Sequence, residues 1–113
     1  MKEGDIILTP MPQTDGKIKN RPAIYLREMP PFRDALVCGV STQFHHLTAD
    51  FDELITSQDS DFSASGLVSD SLIRLGFLAV LPRRKILGSI GSISAERHQR
   101  LLHRLSNYLV RTS

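Results

Sequence analysis

One cysteine, Cys38, is all the thiol chemistry this sequence offers. It sits inside the apolar run Ala35-Leu36-Val37-Cys38-Gly39-Val40. A single thiol excludes a disulfide framework and a Cys-rich metal site, and it is consistent with a reducing compartment. Its apolar setting reads as a buried structural thiol rather than a reactive one. Long hydrophobic runs are missing too. No stretch approaches the ~20 apolar residues of a membrane span. The opening residues Met1-Lys2-Glu3-Gly4-Asp5 lack the apolar core of a signal peptide. The expected location is the cytoplasm, with no membrane involvement.

An excess of one charge is also lacking, since the formal net charge is only +2. The charge is unevenly spread, however. Residues 47–66 carry Asp50, Asp52, Glu53, Asp59 and Asp61 and no Lys or Arg. Residues 74–111 carry Arg74, Arg83, Arg84, Lys85, Arg97, Arg100, Arg104 and Arg111 against the single acid Glu96. A basic half favours a polyanionic partner. Solvated arginines that keep the surface soluble explain the composition equally well. With 113 residues, 41% hydrophobic and 23% charged, the chain fits one globular domain, residues 1–113, with room for one core.

Ile6-Ile7-Leu8 reads as a short strand bounded by Pro10 and Pro12, because proline donates nothing to a ladder. Residues 11–20, with Asp15-Gly16, read as a loop with a turn. Ala23–Arg27 and Ala35–Ser41 are the next strands, separated by Met29-Pro30-Pro31. Residues 44–50 read as a loop or edge strand, and 54–66 as polar and irregular. Ser71–Leu75 and Phe77–Leu81 give one or two strands, ended by Pro82, and Arg84–Ile90 gives a last strand or turn. Gly88-Ser89-Ile90-Gly91-Ser92 lacks the Gly-Lys-Ser/Thr ending of a phosphate loop and reads as a turn. Leu101, Leu102, Leu105 and Leu109 then recur at helical spacing, with Ser94 as N-cap and Glu96 in the first turn. Arg97, Arg100 and Arg104 share one face of this helix, which reads as solvated surface. The whole is a mainly β chain with a C-terminal helix, a small barrel or sheet domain.

Two polar groups stand at the rims of apolar strands. Arg21 precedes Pro22, which holds it extended. Ser41 and Thr42 follow the third strand, with Gln43 after them. A guanidinium beside a hydroxyl suits a phosphate and charge developing on it. RNA cleavage by the ribose 2′-hydroxyl needs this and no metal: a proton acceptor, a stabiliser of phosphorane charge and a proton donor. Arg21 offers paired hydrogen bonds to phosphate oxygens, and the Ser41 or Thr42 hydroxyl adds one more. A surface arginine paired with an acid and an ordinary strand end account for the same residues. His45-His46 is the other conspicuous pair. Neighbours on a strand face opposite ways, so the two are poorly placed for one metal. Either is a candidate acid or base near neutral pH, and exposed loop histidines are the plainer reading.

Taken in order, several segments resemble the MazF/PemK-like toxins of bacterial toxin–antitoxin modules. They are Gly4-Asp5-Ile6-Ile7, Lys19-Asn20-Arg21-Pro22-Ala23-Ile24, Val40-Ser41-Thr42-Gln43, Asp61-Phe62, Ser65-Gly66-Leu67, Ser71-Leu72-Ile73-Arg74-Leu75 and Ile86–Ser94. The resemblance implies an SH3-like small β-barrel of the PemK/CcdB type, acting as a homodimer. It implies metal-independent cleavage of single-stranded RNA, with no cofactor, to a 2′,3′-cyclic phosphate and a 5′-hydroxyl. The family's catalytic arginine falls on Arg21 and its threonine on Ser41. The order Ser-Thr, where many members read Thr-Ser or Thr-Thr, leaves open which hydroxyl acts. Arg74 matches a further family arginine, but Gly76 stands where some members carry an acid. Lys17, Lys19, Asn20, Gln43, His45 and Arg74 are the implied RNA-binding residues, with loop 13–20 as a mobile flap beside the groove. A cognate antitoxin with an acidic tail is the implied protein partner, and DNA is bound only through the toxin–antitoxin complex. The same fold includes toxins that bind DNA gyrase, and catalytically weak members that act as antitoxin or DNA-binding partners.

Overall fold

The structure, a computed structural model, describes residues 1–12 and 15–112, with the side chain of Pro12 outside the description. Six strands run β1 (Asp5–Pro12), β2 (Ile18–Met29), β3 (Asp34–Ser41), β4 (Glu53–Ile55), β5 (Ser71–Leu81) and β6 (Gly88–Ser92). They form one antiparallel sheet in the order β4-β5-β3-β2-β1-β6, curled into a half-barrel. A one-turn helix, α1 (Phe62–Ser65), precedes β5, and α2 (Ala95–Val110) closes the chain. Single 3-10 turns lie at Phe44–His46 and Arg83–Lys85.

Both faces of the sheet are apolar, which is why Ile6 and Ile7 are each fully buried although they point opposite ways. One face joins Ile6, Ile24, Cys38 and Ile73 to Leu101 and Leu105 of α2. The other packs Ile7, Ala23, Tyr25 and Val37 with Met11. Cys38 lies in the first, and burial pushes its thiol up to about 12, as expected of a structural cysteine. No helix among the described residues is long and apolar enough to cross a membrane.

The helix expected over 95–110 spans those residues. Its N-cap is Ser94, whose hydroxyl accepts the Arg97 N–H at 3.1 Å. Several other expectations change. Proline does not end β1: Pro10 pairs with Asn20 and Pro12 with Ile18. The register of β6 against β1 stops at Leu8, so β1 is an edge strand beyond that point, where a missing donor is tolerated. The loop expected over 11–20 therefore shrinks to the turn around Asp15-Gly16, with Gln13 and Thr14 outside the described residues. Of the two readings of 44–50, loop or edge strand, the structure has the loop, with a 3-10 turn at Phe44–His46. The irregular 54–66 contains part of β4 and all of α1. Gly88–Ser92 is a strand, and its glycine has a purpose: a Cβ on Gly91 would collide with the backbone of Ala64 and Ser65 in α1.

The largest change concerns the arginine face of α2. Arg97 is buried and donates to Asp61 at 2.8 and 3.1 Å and to Glu53 at 2.8 Å. Asp59 lies 3.2 Å from the same guanidinium. Arg100 donates to Glu53 at 2.6 and 3.0 Å. Arg104 lies 3.4 Å from Glu53 and donates to the Asp52 carbonyl at 3.1 Å. The face read as solvated surface is thus an ionic clasp between α2 and the acidic segment. Burial works against Arg97's charge, but the Asp61 bonds and the charges of Asp61, Glu53 and Asp59 outweigh it and raise its pKa. Much of the basic half is neutralised within the fold.

Candidate functional site

Three strands bring the polar rim residues to one place. Ala23 of β2 pairs with Gly39 of β3, and Gly39 pairs with Arg74 of β5. Directly opposed residues share a face, and so do residues two apart along a strand. Arg21 lies two before Ala23 and Ser41 two after Gly39. Arg21, Ser41 and Arg74 therefore project from one face at one end of the sheet. A bulge sharpens the arrangement: Cys38 pairs with Leu78 while Gly39 pairs with Arg74. Leu75, Gly76 and Phe77 are left over in β5. Gly39 leaves room for the Phe77 ring, which a Cβ at 3.0 Å would push aside.

The result is a cleft of about 360 Å³ lined by Met11, Arg21, Gly39, Val40, Ser41, Thr42, Gln43, His46, Arg74 and Phe77. Arg74 places its guanidinium 5.7 Å from the Phe77 ring centroid, a cation–π contact that supports the side chain from one side. Among the described residues Arg74 makes no ion pair, and no Asp or Glu lines the cleft. The Ser41 hydroxyl accepts the Gln43 N–H at 3.0 Å. One of its lone pairs is thereby used, and its own proton remains to be donated. The 3-10 turn follows, with the His46 N–H donating to the Gln43 carbonyl at 3.2 Å. The His45 and His46 rings stand 4.1 Å apart. Loss of solvent around the ring, then His45 and the charge of Arg74, push the His46 imidazole below its ordinary value.

Of the residues expected at the site, Arg21, Ser41, Thr42, Gln43 and Arg74 line the cleft. His45 does not; His46 takes that place. Their spacing on a strand gives no way to choose between them, and the 3-10 turn makes the choice. Lys17, Lys19 and Asn20 are exposed on the β1–β2 hairpin outside the lining. Lys19 pairs with Met11, which does line it. The Lys17 N–H donates to the Asp15 carboxylate at 2.9 Å. The flap expected over 13–20 falls partly outside the described residues, and its second half, from Ile18, is strand. Phe77 was not anticipated, because an apolar residue in an apolar strand carries no sign that a bulge will turn it to a rim.

A second, larger groove of about 650 Å³ lies between β5 and the end of α2. Phe51, Leu75, Gly76, Leu78, Tyr108 and Leu109 are among its lining residues. Gly76, the position where a carboxylate was sought, belongs to this groove and not to the cleft.

No protein-family model and no curated protein sequence matches this chain at a significant level. The chemistry of the cleft residues has to carry the functional reading.

Proposed function

We propose that this protein is a metal-independent endoribonuclease that cleaves single-stranded RNA, the toxin of a toxin–antitoxin module of the MazF/PemK kind. The observation that carries the reading is the cleft that gathers Arg21, Arg74 and the Ser41 and Thr42 hydroxyls. In this reading the two guanidiniums hold the scissile phosphate and stabilise the charge that grows on it. Ser41 donates its proton to a phosphate oxygen. The 2′-hydroxyl is the nucleophile, so the products are a 2′,3′-cyclic phosphate and a 5′-hydroxyl. Lys17 and Lys19 on the neighbouring hairpin extend the positive surface toward flanking phosphates. The curled sheet with its C-terminal helix is compatible with an SH3-like barrel of the PemK/CcdB type.

The same reading includes a cytoplasmic homodimer and an antitoxin whose acidic tail folds into the cleft in competition with RNA. DNA enters only through the toxin–antitoxin complex. Exposed Leu78, Val80, Tyr108 and Leu109 beside the larger groove support self-association. The decisive experiment incubates the pure protein with single-stranded RNA in EDTA and characterises the ends. Cleavage to 2′,3′-cyclic phosphate ends is expected. Intact RNA at high enzyme concentration would overturn the reading.

A further inference from the structure

We propose that His46 is the general base of the cleft, taking the proton from the attacking ribose 2′-hydroxyl. The proposal rests on the ribonuclease reading and adds the proton acceptor that reading lacks. Among the described lining residues, His46 is the only group suited to accept a proton near neutral pH. Arginine does not deprotonate in proteins, and hydroxyls and amides are far too weakly basic. No carboxylate lines the cleft, and Gly76 lies in the other groove. The position of His46 is set by the same short segment that sets Ser41. The Ser41 hydroxyl accepts the Gln43 N–H, and the Gln43 carbonyl accepts the His46 N–H. The backbone that carries the imidazole is thus tied to the hydroxyl that would hold the phosphate.

The charged neighbours favour the neutral, proton-accepting ring. The His45 ring stands 4.1 Å from it, tilted by 59°, and Arg74 and Arg21 share the cleft. Both His45 and Arg74 lower its affinity for a proton. The 2′-oxygen forms its bond to phosphorus as its proton passes to the unprotonated ring nitrogen of His46. The bond from phosphorus to the 5′-oxygen breaks with its electron pair on that oxygen. A solvent water protonates the 5′-oxygen, and His46 returns its proton to the hydroxide left behind.

The test is the pH dependence of RNA cleavage in EDTA by the wild type and by His46→Ala, His45→Ala and His103→Ala. His103 is exposed on α2 and serves as the control. The wild-type rate should fall toward acid as His46 is protonated. His46→Ala should lose on the order of 100-fold or more in kcat and lose that acid limb. Added imidazole should restore part of the rate. An RNA with a 2′-deoxyribose at the scissile position should bind His46→Ala as tightly as the wild type. A His46→Ala protein that keeps wild-type kcat and acid limb overturns the proposal while leaving the ribonuclease reading intact. Loss of the limb in His45→Ala alone moves the role to the neighbour and overturns it too. A wild type that cleaves no RNA removes both.

Discussion

Arginine is used in two opposite ways in this chain. On α2, Arg97, Arg100 and Arg104 face Glu53, Asp59 and Asp61. In the cleft, Arg21 and Arg74 stand among hydroxyls, an amide and an imidazole, with no carboxylate in the lining. The first arrangement matches cations to anions inside the fold. It holds α2 against the acidic segment, whose Phe51, Ile55 and Phe62 also pack into the core. The second presents cationic groups beside hydrogen-bond donors, with solvent in front. What separates structural Arg97 from Arg74 among the described residues is the company of carboxylates, not the residue type or its place in a charge run.

Arg97 separates the two uses of arginine most strongly. Its removal leaves buried Asp61 without the guanidinium that donates to both its oxygens, while Glu53 keeps Arg100. Leaving a buried charge uncompensated costs about 3–5 kcal/mol. Urea denaturation of Arg97→Ala should show a loss of that size, while RNA cleavage per folded molecule stays near wild type. A neutral effect on stability would show that water serves these carboxylates as well as Arg97 does.

The opposite pattern belongs to Arg21. We expect Arg21→Ala to lose about 100- to 1,000-fold in RNA cleavage, the scale of one lost oxyanion-type contact. Its denaturation midpoint should move little, as for most partly exposed surface changes. Undiminished cleavage would end the assignment of Arg21 to the phosphate.

Within the cleft the two hydroxyls are placed differently. Both Ser41 and Thr42 line it, but Ser41 shares a sheet face with Arg21, and Thr42 follows the strand end. Ser41→Ala should cost more activity than Thr42→Val, about tenfold more on the scale of one charge-assisted hydrogen bond. The reverse order would mean that Thr42 holds the phosphate.

The legible parts of this fold were those with a period or a cap. The Leu101–Leu105–Leu109 spacing marked α2, and Ser94 sat at its start. The apolar runs marked the centres of β2, β3 and β5, and Ser41 ends β3 as read, whereas Arg21, read as preceding its strand, lies inside β2, which starts at Ile18. What was hidden depended on contacts between distant segments. Glu53, Asp59 and Asp61 lie 36 to 44 residues from Arg97, so local charge patterns could not pair them. Gly88–Ser92 has the composition of a turn, and only its pairing with β1 and the approach of α1 make it a strand. The choice of His46 over His45 waited on a turn that no periodicity announces.

The smallest effect expected is the acid response of the clasp. Burial would push the Asp61 carboxyl up. The Arg97 hydrogen bond, the Ser94 N–H and the Arg97 charge prevail and hold it below the usual carboxylate range. A carboxyl whose folded pKa lies below its unfolded value binds protons more readily when unfolded. Its contribution is therefore complete above the unfolded value of about 3.9 and is lost as pH falls through the lower folded value. Stability from this source should be flat near neutrality and decline only below about pH 4. The cleft should respond earlier, because His46 titrates on the histidine scale, below about 6.5. Activity should thus fall toward acid while the fold is still intact. Urea midpoints across a pH series for wild type and Asp61→Asn check the clasp arm. The variant should be less stable at neutral pH and show a shallower decline in acid. An unchanged acid slope would mean that another group drives it.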